Sequence, residues 1–578
     1  MTAAEAAAAR RARPAPRASR LIPGGEGLAF AALLAFVAGL CGAPLLLLLE
    51  VGLGDGLAPV AKALESGSVR RALWRSLESG AASALLATGL GTALALAIGL
   101  TDVRAKPALV FLVLLPMMIP PHVTAIAWIQ ALGPGSPVLK PLGLAPELGA
   151  THPLYSREGV ILLLAVQHSP LVFLAVRAAL RALPREMAEA ARAAGASGPR
   201  VLRRVILPLI APALIAGFAL AFVSALGNFG IPALLGIPAR YITLPVLIWQ
   251  RLASFGPGML EGVAVLAFLI ACVAAAAVAV QGLLARRAKA VLSGPPSAPL
   301  DWALGRWRPA TEAGVWAVIA LTLVLPLGAL LGTALVPTYG VDLSVETLTL
   351  RHFREIVFGQ SVTWRAFGNS VLAAGGASAI LAGTALGLGA FLARGGARGR
   401  AAGAAAGVAD LAYAVPGLVI SIAFILAFIR PLPLIGVSLY GTLWIILLAY
   451  LAAFLAIALK PVGAAVAQLD PALDDAARVA GAGWGRRLRR VFAPMTAPAA
   501  ASGAILVFLT AYNEVTVSAL LWSSGHETVG TVIFNYEDGG YTTLASAMSA
   551  VTVALTALLM LLLDRLGRRL PPGVVPWR

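Results

Sequence analysis

The chain contains one polar stretch twice. Residues 189–217 read EAARAAGASGPRVLRRVILPLIAPALIAG, and residues 475–503 read DAARVAGAGWGRRLRRVFAPMTAPAAASG. The copies lie 286 positions apart, align without a gap and share 16 of 29 residues. Both are arginine-rich, although the sequence around them is overwhelmingly apolar. The repeat indicates two similar halves, each presenting the same hydrophilic loop between hydrophobic segments, where a soluble partner can reach it.

Composition places the protein in a membrane. Apolar residues make up 59% of the 578 positions and charged residues only 12%, which excludes an ordinary soluble globular protein. Apolar runs of about 20 residues recur, each long enough to cross a bilayer as a helix. The runs are continuous, whereas an outer-membrane barrel alternates apolar and polar residues. Twelve spans are predicted, at residues 27–50, 76–100, 108–131, 158–180, 208–235, 259–284, 313–337, 366–393, 403–429, 439–460, 494–522 and 541–564.

The distribution of positive charge predicts the orientation. If residue 1 faces the cytoplasm, twelve spans place both termini and both copies of the repeat there. Cytoplasmic segments then hold 31 Lys and Arg residues, against 12 on the other side. An excess of these residues on the cytoplasmic side orients membrane proteins, so the net charge of +18 needs no nucleic-acid partner. We expect a multi-pass protein of the inner (cytoplasmic) membrane, in contact with lipid.

The spans divide into two groups of six. A proline-rich, basic segment at 286–312 separates a first half, 27–285, from a second half, 313–566. Residues 1–26 and 567–578 are predicted cytoplasmic tails. Because each half has an even number of spans, the halves are parallel and related by a pseudo-twofold axis along the membrane normal. The predicted fold class is an all-α polytopic membrane protein.

Matching prolines occur in matching spans. Pro120-Pro121 in predicted span three corresponds to Pro416-Gly417 in predicted span nine. A proline within a span removes a backbone hydrogen bond and bends the helix, which a membrane tolerates when neighbouring groups satisfy the freed carbonyls. Two interpretations stay open: the bends line an interior surface, or they serve helix packing alone.

The repeated stretch predicts a helix, a glycine bend and a second helix. Glu186 to Ala194 favours a helix, Gly195 permits a left-handed exit, and a second helix follows from Gly198 to Leu207. Small alanines make the first helix a smooth surface that a groove in another protein could accept. The alternative is an amphipathic helix on anionic lipid, but two copies favour a protein partner.

The spacing E-A-A-x3-G-x9-hydrophobic-x-L-P resembles the signature loop of membrane subunits of binding-protein-dependent ABC importers. The first copy matches at Glu189, Ala190, Ala191, Gly195, Val205, Leu207 and Pro208. The second copy matches at Ala476, Ala477, Gly481, Val491 and Pro494, with Asp475 for glutamate and Ala493 for leucine. Two such loops on one chain resemble the fused permeases of the ferric-iron importer family.

The resemblance implies a type I importer-permease fold, two copies of a separate ABC ATPase subunit and a solute-binding protein. It implies ferric iron as the solute, with thiamine, an aminophosphonate or a polyamine as alternatives. The shorter Asp475 leaves equal engagement of the two loops open. The implied ATPase-coupling residues are Glu189, Ala190, Ala191, Gly195, Arg203, Arg204, Asp475, Ala476, Ala477, Gly481, Arg489 and Arg490.

The sequence offers no nucleotide site and no reaction centre. It has no G-x-x-x-x-G-K-[ST] phosphate loop, so we expect ATP to be hydrolysed on the partner subunit and no cofactor to be bound by this chain. The five histidines are scattered and zinc-binding spacings are missing. We therefore expect a transporter subunit rather than an enzyme.

Polar residues inside predicted spans suggest a route for the solute, because burying them in lipid is costly. Gln167 and His168 lie in span four, whereas Asn228 in span five corresponds to Glu514 in span eleven, beside Asn513. Interhelical hydrogen bonding is the alternative role. An ion-driven secondary transporter is a competing function, but it would need a charge partner for Glu514, and none is evident.

Overall fold

A computed structural model describes residues 25–54, 56–147, 149–254, 258–287, 302–394, 396–432, 436–470, 472–569, 571 and 574–575. Throughout these ranges the chain is helical, apart from loops and an isolated bridge between Thr101 and Trp302. Ten helices are long and apolar enough to cross a membrane, and two sharply bent helix pairs raise the number to twelve. Most of the predicted tails and the centre of the predicted linker lie outside the described residues.

Each half has five continuous spans and one broken span. In the first half, spans 1 to 6 are Gly25–Leu53, Gly67–Leu100, the pair Lys106–Met118 and Pro121–Leu132, Arg157–Arg181, Gly198–Leu226 and Met259–Leu284. In the second half, spans 7 to 12 are Gly305–Ala334, Ser361–Leu392, the pair Gly396–Ala414 and Gly417–Phe428, Leu443–Val466, Trp484–Tyr512 and Thr542–Gly567.

Shorter helices connect the spans. Loop helices Arg185–Ala193 and Ala472–Val479 precede spans 5 and 11, and connecting helices Leu244–Leu252 and Val529–Asp538 precede spans 6 and 12. The remaining short segments are Ala58–Glu65, Lys140–Leu142, Pro232–Gly236, Arg351–Arg354, Glu355–Gly359 and Ser518–Leu521. The predicted ends of spans 5 and 11, at 235 and 522, were wrong. The helices stop at Leu226 and Tyr512, and hydropathy missed this because apolar residues continue beyond.

Three spans form the core of each half. Spans 2, 4 and 5 pack against one another, and spans 8, 10 and 11 repeat the arrangement. The glycine that ends each copy of the repeat lies at this contact. A Cβ on Gly217 would lie 3.2 Å from Val172, and one on Gly503 would lie 2.8 Å from the Ala458 carbonyl oxygen. Gly217 and Gly503 are 286 positions apart, and so are their partners Val172 and Ala458. The sequence repeat therefore also holds for this packing contact.

The first span of each half packs against the other half. Span 1 contacts spans 8 and 9, and span 7 contacts the second segment of span 3. Buried side chains follow the same pattern: Cys41 belongs to one cluster with Phe424 and Tyr450, and Leu330 belongs to another with Val123 and Ile126. The two halves therefore share their hydrophobic cores, since each supplies one helix to the other.

The two broken spans confirm the predicted proline bends and exceed an ordinary kink. The chain turns by 102° before Pro121 and by 109° before Gly417. The residues at the breaks have nearly equal dihedrals, φ −54° and ψ 138° at Pro120 and φ −55° and ψ 141° at Pro416. Gln167 donates hydrogen bonds to the Pro116 and Ile119 carbonyls, at 3.2 and 3.1 Å, which satisfies backbone groups freed at the first break.

Candidate functional site

The two repeated loops have the same backbone geometry. We define the first loop as residues 183–206 and the second loop as residues 469–492. Each begins with its loop helix, turns at a glycine of positive φ and continues into a five-residue π-helical turn, Leu202–Ile206 or Leu488–Phe492. The glycine φ angles are +84° at Gly195 and +73° at Gly481.

The turn at each glycine is a Schellman motif. In the first loop the Ala196 N–H donates to the Ala191 carbonyl at 3.0 Å, and the Gly195 N–H donates to the Arg192 carbonyl at 2.9 Å. The second loop has the same bonds at the same lengths, from Ala482 to Ala477 and from Gly481 to Arg478. The motif needs a left-handed residue after the helix, which glycine adopts without strain. The predicted bends at Gly195 and Gly481 are confirmed.

Both loop helices present a matched surface to solvent. Glu189, Ala190, Arg203 and Arg204 are exposed, as are the corresponding Asp475, Ala476, Arg489 and Arg490, while Ala191 and Ala477 are half-buried. The same helices also expose an apolar pair that was not predicted, Met187 at 44% and Leu473 at 43% exposure. Because Met187 and Leu473 are also 286 positions apart, the repeat could have revealed them. The surface combines small and apolar side chains with charges, which suits docking into a groove on another protein.

A cavity of about 660 Å³ lies between the two halves. Its lining includes Pro121 and Pro416, at the breaks in spans 3 and 9, and Gly227 and Val517, just beyond the ends of spans 5 and 11. The halves meet closely here: a Cβ on Gly227 would lie 2.7 Å from the Pro416 side chain. Two broken spans and the ends of two continuous spans thus meet at one chamber.

The cavity opens toward the end of the bundle that carries the repeated loops. Lys460 lines it and lies six residues before span 10 ends at Val466. Its ammonium is 3.8 Å from the Asp410 carboxylate and 4.9 Å from the Tyr413 ring centroid. The Lys460 and Asp410 side chains are 60% and 58% exposed, so this pair borders an open mouth. Lys460 was not among the predicted site residues, although its single charge within an apolar span was a signal for it.

Three of the five predicted pathway residues line the cavity, namely His168, Asn228 and Glu514. Asn228 and Glu514 also share a structural role. The Ile231 N–H donates to Asn228 Oδ1 at 3.1 Å, and the Val517 N–H donates to Glu514 Oε1 at 2.7 Å. Both side chains therefore cap the turn that follows the end of span 5 or span 11.

The other two predicted pathway residues lie outside the cavity lining. Gln167 accepts a hydrogen bond from Thr124 at 2.8 Å and donates to the carbonyls at the break in span 3. Asn513 donates to the Leu509 carbonyl at 2.9 Å and accepts from Thr556 at 3.5 Å. Interhelical bonding, the alternative considered for such residues, describes these contacts. In the described part of the chain no group of three or more His, Cys, Asp or Glu residues could hold a metal ion.

Three aromatic rings contact one another across the halves. Phe229, directly after the cavity residue Asn228, lies 5.7 Å from Trp249 and 5.4 Å from Phe534, measured between ring centroids. Trp249 and Phe534 belong to the connecting helices, and their rings meet edge to face at 6.1 Å. Phe229 is fully buried, so apolar packing joins the two connecting helices next to the helix breaks.

Comparison with known proteins agrees with this geometry. Residues 81–290 and 385–576 each match the family described as "Binding-protein-dependent transport system inner membrane component". The chain belongs to this family. Each half supplies one copy of the domain, so the protein is a fused two-domain permease of the ABC importer class, with a multi-pass membrane location.

The relatives that align with this chain are named as permeases of transport systems. The chain is 26% identical over 532 residues to a probable ABC transporter permease, y4fN, of Sinorhizobium fredii, covering 89% of this chain and 90% of that protein. It is 24% identical over 526 residues to the ferric transport system permease FbpB of Actinobacillus pleuropneumoniae, covering 88% and 73%. A putative 2-aminoethylphosphonate permease, PhnV, of Salmonella typhimurium is 27% identical over 268 residues, covering 46% and 98%. Other relatives are named for molybdenum and for sulfate.

Proposed function

We propose that this chain moves a small solute through the cavity between its halves, powered by two copies of a separate ATPase subunit. One ATPase subunit docks on each repeated loop, with Glu189 and Asp475 at the contacts, and a solute-binding protein delivers the solute to the opposite face. The proposal places both loops and both termini in the cytoplasm. The observation that carries it is the occurrence of two loops of equal geometry at the end where the cavity opens.

The geometry suggests how docking drives transport. Each loop helix leads through its glycine turn directly into span 5 or span 11, and those spans end beside the cavity residues Gly227 and Glu514. A displacement of a loop helix is therefore transmitted along one helix to the chamber. The conformation described here, open toward the loops and packed around Phe229, corresponds to the state that releases solute toward the ATPase side.

Reconstitution tests this function. The purified chain in proteoliposomes should neither bind nor hydrolyse ATP, and ATPase activity should require the separate subunit at two copies per chain. A loaded binding protein should stimulate that activity. Uptake driven by a sodium or proton gradient without ATP would instead identify a secondary transporter. Accessibility labelling that placed Arg203 and Arg489 on opposite sides of the membrane would contradict the proposed topology.

We propose ferric iron as the solute. FbpB, named for ferric transport, aligns with most of this chain, whereas PhnV aligns with less than half. Of the two carboxylates in the cavity lining, Asp410 is paired with Lys460, so it is Glu514 that favours a cation or a chelate with exposed positive charge over a free oxyanion. Uptake of radiolabelled iron should be compared with that of 2-aminoethylphosphonate, molybdate, sulfate, thiamine and a polyamine. Transport of one of those in place of iron would leave the permease assignment intact and remove the iron assignment.

Glu514→Gln separates the charge of this residue from its capping role. The amide keeps an oxygen that can accept the Val517 N–H, as Asn228 does for Ile231 in the first half. We expect lower uptake with ATPase binding unchanged if the carboxylate contacts the solute. Unchanged uptake in Glu514→Gln, combined with loss in Glu514→Ala, would assign the residue to capping alone.

A further inference from the structure

An ionic network joins the second loop to the start of span 1. The Glu26 carboxylate pairs with Arg394, with Arg398 at 2.6 Å and with Arg487 at 3.4 Å. The Asp474 carboxylate, in the second loop helix, pairs with Arg487 at 3.2 Å, Arg478 at 2.8 Å and Arg394 at 3.7 Å. Arg394 and Arg487 contact both acids, so span 1, the segment after span 8 and the second loop are connected through charge.

The first loop is held by different chemistry. The positions that correspond to Asp474 and Arg487 are Ala188 and Val201, which are 3% and 0% exposed. Both belong to an apolar cluster against which Trp302 and Leu304, just before span 7, are packed. The two positions are therefore buried among apolar side chains in the first loop, whereas in the second loop they form ion pairs that reach the start of span 1.

The ionic network borders open space. A cavity of about 660 Å³ adjoins it, with Glu26, Arg394, Asp474 and Arg487 in its lining. Arg487 is largely buried, whereas the Glu26 and Asp474 side chains are 25% and 36% exposed. Water and salt can reach the carboxylates, so the strength of these pairs depends on ionic strength. Apolar contacts such as those of Ala188 and Val201 are not weakened by salt.

We propose that Glu26, Asp474 and Arg487 are positioning residues that hold the second loop in its docking geometry, so that salt weakens the second docking site more than the first. The inference rests on the proposed function, in which both loops bind ATPase subunits. The chain thus distinguishes its two motor sites by the chemistry that supports each loop, although the loops share one backbone geometry.

Site-specific crosslinking measures each loop separately. Single cysteines at Ala190→Cys or Ala476→Cys, introduced into a chain with Cys41 and Cys272 replaced, report docking on the first or second loop. The full-length chain is reconstituted with the ATPase subunit, and the ATPase is titrated at 0.15 M and 1 M salt. The Debye length falls between these conditions from about 8 Å to about 3 Å. We expect the half-saturating ATPase concentration to rise about fivefold to tenfold more at Ala476→Cys than at Ala190→Cys, because salt screens the direct contacts of Glu189 and Asp475 alike.

Variants of the network provide the decisive comparison. Glu26→Gln should reproduce the high-salt result at 0.15 M, and Glu26→Asp should restore part of the wild-type affinity. The double variant Asp474→Ala with Arg487→Val gives the second loop the two residues that the first loop has at these positions. Crosslinking of the ATPase to the second loop of this variant should lose most of its salt dependence. Asp342→Asn is the control, because its exposed pair with Lys140 lies away from both loops.

The outcomes distinguish this inference from the function beneath it. Equal salt dependence at Ala190→Cys and Ala476→Cys, or wild-type crosslinking in Glu26→Gln, would overturn the positioning role. Failure of both cysteines to crosslink to the ATPase at low salt would instead overturn docking on the loops. Glu26→Gln tests the inference even if the double substitution does not fold.

Discussion

Replacing Gly195 by alanine should weaken the first docking site by a predictable amount. Gly195 has a φ of +84°, and an added Cβ would meet no atom within 4 Å. The cost of Gly195→Ala is therefore conformational rather than steric, and a left-handed alanine costs about 1–2 kcal/mol. If the turn opens to relieve that strain, the hydrogen bonds from Ala196 and Gly195 are lost at about 0.5–1.5 kcal/mol each. Because 1.4 kcal/mol corresponds to a tenfold change in a dissociation constant, a cost of about 1–2 kcal/mol should lower the affinity of the ATPase for this loop by about 5–30-fold.

Two measurements and two matched variants test this reasoning. Amide hydrogen exchange at Ala196 reports the Schellman turn without the ATPase, and titration of the reconstituted chain reports docking. Gly198→Ala is the control, because Gly198 also has open space for a Cβ but lacks a positive φ. Gly195→Asn should retain more affinity than Gly195→Ala, since asparagine tolerates the left-handed region better. Equal exchange and equal affinity in Gly195→Ala and Gly198→Ala would refute the role of the turn.

Three further substitutions have expected outcomes. Gly227→Ala should lower the free energy of unfolding by about 1–3 kcal/mol and impair uptake, because the new Cβ would lie 2.7 Å from the Pro416 side chain. Thermal unfolding and a transport assay check this. Arg365→Ala should lower the free energy of unfolding by roughly 1–3 kcal/mol. The buried Glu527 carboxylate would lose the two hydrogen bonds that it accepts from the Arg365 guanidinium, at 2.9 and 3.1 Å. A melting temperature equal to that of the wild type would contradict this. Burial raises the pKa of Glu537 to about 7, against a hydrogen bond from Thr542 that lowers it. The folded state thus binds this proton more tightly than the unfolded state does. The free energy of unfolding should therefore fall by on the order of 2–3 kcal/mol as the pH rises from about 4.5 to 7. Unfolding in detergent at a series of pH values measures this, and Glu537→Gln should remove most of the pH dependence.

The sequence was sufficient for the parts of the fold that depend on periodicity and repetition. Continuous apolar runs located the spans, and the 286-residue repeat located both loops and their glycine turns. Hydropathy could not show that spans 5 and 11 end before Asn228 and Glu514, because the following residues are equally apolar. It also could not show that Pro120 and Pro416 turn the chain by more than 100°, since the angle depends on how neighbouring spans pack.

Side-chain roles depended on contacts that no linear pattern contains. Gln167 was predicted beside His168 on one path, yet only His168 lines the cavity, because adjacent residues on a helix point in different directions. Arg487 lies inside the repeated stretch and Asp474 directly before it, but both differ from their counterparts Val201 and Ala188, so a search for shared residues did not find them. The difference between the loops was visible in the sequence, and its meaning required the position of Glu26.

The exchange of first spans between the halves delays folding during synthesis. Span 1 ends at Leu53, but its packing partners in the second half extend to span 10, which ends at Val466. At about 5–20 residues per second, translation of the intervening ~400 residues takes roughly 20–80 s. Throughout that interval the helix that begins at Gly25 must remain in the bilayer with lipid or an insertion factor in place of its neighbours from the second half. A ribosome that stalls between the halves would therefore leave span 1 with its contacts to span 6 but without those to spans 8, 9 and 10. The exposed face of span 1 makes the nascent chain a substrate for membrane quality control before its second loop exists.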